Sequence, residues 1–115
     1  MQLIDGQSGH VLLENVRMAK TFIRRFRGLM FERSPEEDFG LWIEPCGSIH
    51  TFWMFISIDV YFLDSQGTIL EVRKKVPPWR IVIPKQKSHA VLEIPHGGAT
   101  LKAGMQVELR IQCQQ

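Results

Sequence analysis

Cysteine is scarce in this chain. Cys46 and Cys113 are the only two among 115 residues, and they stand far apart. One distant pair builds no disulfide framework, and both thiols are expected free and buried, as in reducing compartments. Charge of one sign is also lacking. A formal net charge of +2 is too small to point to a nucleic-acid partner. No apolar run approaches the roughly 20 residues that a membrane-spanning helix needs. The opening Met1-Gln2-Leu3-Ile4-Asp5-Gly6 has neither a basic region nor an apolar core of the secretory kind, so the expectation is a soluble, cytoplasmic protein. There is no phosphate loop, no dinucleotide fingerprint, no nucleophile elbow and no zincin helix. Repeats, low-complexity tracts and linkers are missing too.

What remains is an ordinary globular composition, 44% hydrophobic and 23% charged. A single domain of this size buries roughly two-thirds of its unfolded surface, enough for a core without staples. The chain is organised around Cys46 to Val72, where almost every residue is β-branched, aromatic or otherwise apolar. That composition suits a pleated, buried surface. Within it, Asp64-Ser65-Gln66-Gly67 separates Val60–Leu63 from Thr68–Val72. A loop of that length ending in Gly predicts an antiparallel hairpin. On its first arm Ile58, Val60 and Phe62 share one face and are expected in the core. Asp59, Tyr61 and Leu63 share the other, which places Asp59 at a sheet edge or in a polar pocket.

The rest of the chain reads mostly as short strands. Gln2–Ile4 and Val11–Asn15 flank a polar turn and predict a first hairpin. Gly40–Ile43, Ile81–Ile83, His89–Ile94 and Gln106–Ile111 follow as strands, three of them ended by Pro45, Pro84 and Pro95. One segment changes period. Phe22, Phe26 and Met30 recur at i, i+4, i+8 beside Ile23 and Leu29, which predicts a helix over about residues 21–29 with a buried apolar stripe. Thr21 is its cap and Gly28 its weakening or end. Ser34-Pro35-Glu36-Glu37 carries a helix-start signature cut short by Gly40, so one turn is expected there. Thr100–Ala103 reads as another turn, stopped by Gly104.

Several residues invite a functional reading, each beside a plainer one. Arg24 and Arg27, with Lys20 on the same helical face, form either a dock for an anionic partner or a solvated face, the usual fate of charge. Trp79 and Arg80 follow Pro77-Pro78. They bind an anionic or aromatic ligand, or Trp79 covers one end of the core with cations stacked on it. Cys46 and His50 make a lone C-x3-H; zinc needs three or four ligands, so no metal and no other cofactor is expected. Cys46, His50 and Asp59 have the residue types of nucleophile, base and orienter. Equally, His50, Thr51 and Asp59 hydrogen-bond the backbone where strands meet. An acid inside an apolar strand must find partners, because an unpaired buried carboxylate is costly. His50 or the Thr51 hydroxyl is the expected partner of Asp59.

Arg27-Gly28-Leu29-Met30, Ser48-Ile49-His50-Thr51-Phe52-Trp53-Met54, Ile58-Asp59-Val60, Phe62-Leu63-Asp64, Gly67, Pro78-Trp79-Arg80 and Val91-Leu92-Glu93-Ile94-Pro95 together resemble the bacterial and archaeal family called domain of unknown function 192. The similarity runs from about Val16 to the C-terminus. It implies a small β-rich fold with no established activity, and it carries no catalytic residues onto this chain. Phe55, Ser57, His96 and Met105 depart from the family's usual pattern.

The reading that results is a single α+β domain: a curved, mainly antiparallel sheet or partial barrel, with one main helix over about residues 21–29. Its function is that of a small binding or accessory module whose candidate residues are His50, Thr51, Asp59, Trp79 and Arg80. The alternative is an enzyme with a polar centre at His50 and Asp59. An enzyme brings those two side chains together in a concave pocket. A module satisfies them with backbone, and a dimer-forming protein exposes a large apolar patch at Trp42, Trp53 or Trp79.

Overall fold

A nearly continuous apolar run such as Ile58–Leu63 needs a sheet that is covered on both sides. The computed structural model, which describes residues 1–30, 39–95 and 101–111, has one. Its elements are β1 (Gln2–Asp5), β2 (Val11–Leu13), β3 (Asn15–Ala19), α1 (Phe22–Arg27), β4 (Phe39–Ile43), β5 (Ile49–His50), β6 (Ile58–Leu63), β7 (Ile69–Val76), β8 (Ile81–Val82), β9 (Ala90–Pro95) and β10 (Val107–Arg110). Five strands form the central sheet in the order β3-β4-β9-β6-β7. A second sheet is ordered β10-β1-β2, and β5 pairs with β8. Only β3 and β4 run parallel among the described residues; the other pairings are antiparallel.

All six residues of β6 are buried. Ile58, Val60 and Phe62 join Leu41, Ile43, Val91, Leu29 and Met54 on one face of the central sheet. Tyr61 and Leu63 join Trp42, Leu92 and Ile94 on the other, against Leu3, Leu13 and Val107 of the second sheet. The central sheet is thus a middle layer. Each of its fully buried Leu, Ile or Phe side chains contributes about 1.5–3 kcal/mol.

The hairpin expected around Asp64–Gly67 is present, with β7 running on to Val76. Asp64 Oδ1 accepts from the Gln66 and Thr68 N–H groups, both at 2.9 Å. Gly67 has φ 84, and a Cβ there would lie 2.3 Å from the Val107 carbonyl oxygen, so no other residue fits. The first hairpin also forms, as β1 with β2.

The expected mainly β domain with one short helix is present, and the sheets of the described residues do not close into a barrel. Two expectations need correction. The helix covers only Phe22–Arg27, and Thr21 caps it by accepting from the Arg24 N–H at 3.0 Å. Fewer than two turns cannot hold one face against the sheet. Gly28, at φ 53, redirects the chain so that Leu29 and Met30 enter the core, while Ile23 and Phe26 stay 77% and 62% exposed. Finally, the polar end of the Asp59 face is not a sheet edge, because β6 lies inside the sheet. The turn expected at Ser34–Glu37 lies outside the described residues.

Candidate functional site

Two buried acids interrupt the central sheet, Asp59 on β6 and Glu93 on β9, and each is 1% exposed. They are near neighbours in register, for Asp59 lies opposite Ile94 and Val60 opposite Glu93. Side chains alternate across a sheet. Asp59 therefore points with Tyr61 and Ile94 toward the second sheet, and Glu93 points with Val60 and Val91 toward the helix.

On its own face Asp59 is well provided. Its Oδ1 accepts from the Lys75 N–H at 2.8 Å. The Lys74 ammonium stands 3.5 Å from its Oδ2 and also donates to the Tyr61 hydroxyl at 2.7 Å. The partner expected from the sequence, His50 or Thr51, is replaced by these lysines of the adjoining strand.

Glu93 meets a different surface. Gly28 lies directly over its carboxyl, and a Cβ there would come within 2.8 Å of Oε1. The Leu29 N–H donates to the carboxyl, and Arg24 faces it electrostatically. Burial outweighs both and pushes the Glu93 carboxyl up to about 8. Its Oε1 has no hydrogen-bond partner among the described residues.

Glu93 forms the floor of a cleft of about 90 Å³ walled by Arg25, Phe26, Gly28, Ser48 and His50, among others. Here the second unpartnered atom appears, His50 Nε2. The Phe52 N–H donates to His50 Nδ1 at 3.1 Å. A nitrogen that accepts carries no proton, so in the neutral ring Nε2–H is a donor. The third such atom among the described residues, Trp42 Nε1, belongs to a side chain on the opposite face. Cys46 sits close enough to feel Glu93 and Arg25; burial raises its thiol, which donates to the Ser48 carbonyl at 3.1 Å. Such a thiol is not an activated nucleophile.

From the cleft a run of rings leads outward. Phe26 and His50 have ring centroids 5.0 Å apart, His50 and Phe52 5.1 Å, Phe52 and Trp79 5.8 Å, and Trp79 and Trp53 4.9 Å. Phe26, Trp53 and Trp79 are all more than half exposed. Trp53 and Trp79 also hold φ of 64 and 66, which costs of order 1–3 kcal/mol for a non-glycine residue. Thr51 holds them there. Its hydroxyl donates to the Pro77 carbonyl and accepts from the Arg80 N–H, both at 2.8 Å. Its N–H donates to the Arg80 carbonyl, and its carbonyl accepts from the Trp79 N–H.

Of the residues singled out from sequence, His50 lines the cleft and Trp79 its aromatic margin. Thr51 and the Arg80 backbone form the clasp beneath. Asp59 is on the opposite face of the central sheet from Glu93 and the His50 cleft, so a polar centre combining His50 and Asp59 does not form. Trp42 is buried, whereas Trp53 and Trp79 are exposed. Arg24 is half-buried and donates to the Gly28 carbonyl at 3.1 Å. Glu93 was missed. Its signal, an acid inside an apolar strand, is the one that marked Asp59. No group of three His, Cys, Asp or Glu side chains suited to a metal occurs among the described residues. An open groove of about 810 Å³ along Glu71, Arg73 and Lys102 lies elsewhere. There Glu71 already pairs with Arg73 and accepts from the Lys85 N–H at 2.8 Å.

Comparison with known proteins gives a consistent result. The model of domain of unknown function 192, described as "Uncharacterized ACR", matches residues 3–112. A UPF0127 protein of Thermococcus sibiricus is 40% identical over 101 residues, which are 83% of this chain and 64% of that protein's own length. A UPF0127 protein of Pyrococcus horikoshii is 42% identical over 87 residues, 71% of this chain and 73% of that one. Among solved structures, a protein of unknown function from Novosphingobium aromaticivorans has the same fold, with a TM-score of 0.79 at 23% identity over 95% of this chain and 84% of that one. No helix of the described residues is long and apolar enough to cross a membrane.

Proposed function

The chain belongs to the domain of unknown function 192 family, and from that premise we propose that it is a single-domain, cytoplasmic binding module whose site is the Glu93–His50 cleft. One observation carries this reading: two residues that line one cleft, Glu93 and His50, each hold a buried polar atom, Oε1 and Nε2, without a partner among the described residues. A stable core does not keep two such atoms in one place without compensation, since each costs about 1–3 kcal/mol. A ligand that meets both recovers that cost on binding. An anionic dock at Arg24 and Arg27 is not adopted, because Arg24 is turned toward Gly28 and Glu93.

A second reading, acid–base catalysis by Glu93, is favoured by a carboxyl that titrates near neutrality. The two readings share the site and differ in what Glu93 does there. Amide spectra of labelled protein, recorded against a set of small neutral, cationic and anionic fragments, test the site itself. The expected hits shift Leu29, Ser48 and His50 together. Hits that shift only the groove at Glu71 and Arg73 would refute it.

A further inference from the structure

We infer that the ligand is a saccharide, with one hydroxyl or hydroxymethyl group entering the cleft and a pyranose ring lying on the aromatic run outside it. This rests on the cleft being the site, as proposed above, and adds the class of ligand.

Volume decides first. A cleft of about 90 Å³ holds roughly three waters, whereas sites for whole small molecules run from about 300 Å³ upward. The cleft therefore admits a single functional group, and the rest of the ligand must lie on its rim.

Hydrogen-bond capacity decides next. His50 Nε2–H donates. Glu93 Oε1 accepts when the acid is ionised and donates when it holds its proton. An ammonium only donates, and would set its protons against the Nε2–H. A carboxylate only accepts, and is repelled whenever Glu93 is ionised. Of these three groups a hydroxyl alone does both, so it meets the pair in either state of Glu93.

The rim supplies the third argument. Phe26 stands at the mouth, and Trp53 and Trp79 lie further out along the run of ring contacts. Their exposed faces suit a ligand that is apolar in patches yet rich in hydroxyls, and a pyranose has both properties. The clasp at Thr51 fixes the backbone at Trp79 and the turn that carries Trp53 before any ligand arrives, which limits the entropy lost on binding. Arg25, at the same rim, donates to further hydroxyls.

A free sugar and the end of a glycan share this chemistry. The test is an NMR titration of labelled protein with the methyl α-pyranosides of glucose, galactose and mannose, and with maltotriose. Benzoate and benzylammonium serve as the acceptor-only and donor-only probes. We expect at least one pyranoside or the trisaccharide to shift the Trp79 indole and the His50 ring together and saturably. His50→Ala and Trp79→Ala should each weaken that binding about tenfold, a loss of about 1.4 kcal/mol. Glu93→Gln, whose amide can donate or accept as the protonated acid does, should fold normally and keep that binding within about twofold. Tighter binding of maltotriose than of the glucoside assigns a glycan end; equal binding assigns a free sugar. If benzoate or benzylammonium shifts His50 and Leu29 and no sugar does, the ligand class is wrong while the site stands. If nothing shifts them, both are wrong.

Discussion

Two buried acids on opposite faces of one sheet have opposite surroundings. Asp59 and Glu93 are equally hidden and lie within one residue of each other in register. Asp59 is met by the Lys75 N–H and the Lys74 ammonium. Glu93 receives one N–H, from Leu29, and keeps one oxygen without a partner among the described residues. Burial of a carboxylate is costly in either place. On the first face the fold compensates it locally; on the second it leaves the compensation open, beside a histidine in the same condition. The contrast teaches that depth alone does not mark a functional acid. The state of its partners does.

The comparison is tested most severely at Asp59. Asp59→Ala strands the Lys75 N–H and leaves Lys74 without its acid, so it should cost about 3 kcal/mol in urea melts. A loss under about 1 kcal/mol would erase the difference between the two faces. Glu93→Gln should act in the other direction. In the folded protein Glu93 still holds its proton between about 4.5 and 8, where the unfolded chain has released it. Wild-type stability therefore falls as pH rises across that window and levels off above it. The amide introduced by Glu93→Gln does not titrate, so the variant's advantage should be absent near pH 4.5 and reach about 4 kcal/mol at pH 8. A variant less stable than wild type at pH 8 would show that Glu93 is as well paired as Asp59. Thr51→Val removes the hydroxyl of the clasp and should cost about 1–2 kcal/mol, with a change in tryptophan emission as Trp53 and Trp79 loosen. An unchanged emission spectrum would mean the clasp does not order the rim. The smallest effect is expected at Phe26→Ala, under about 1 kcal/mol, because the ring is mostly exposed. A loss of about 3–5 kcal/mol, the cost for a buried Phe, would place it in the core instead.

Much of the fold was legible in the sequence because its signals are local. The turn at Asp64 and Gly67 between two apolar arms placed β6, and alternation placed β10. The helix was misjudged for a physical reason. An i, i+4 stripe says which residues share a face, but six residues of helix ending at Gly28 leave the face itself to tertiary packing, and the core took Leu29 and Met30. The site was half legible. His50, Thr51 and Trp79 stood out as residue types in an apolar stretch. That His50 faces Glu93 and not Asp59 depends on strand register, which couples segments far apart in the chain and leaves no mark in either of them.

The measurement closest to the central claim is a carbon-detected titration of the Glu93 side-chain carboxyl in the intact protein. The account predicts a midpoint near 8, set by burial against one N–H and the Arg24 guanidinium. A midpoint at or below 4.5, the ordinary value, would contradict it. It would mean that Oε1 has found a partner within the fold, and that the cleft holds no unmet acid for a ligand to recognise.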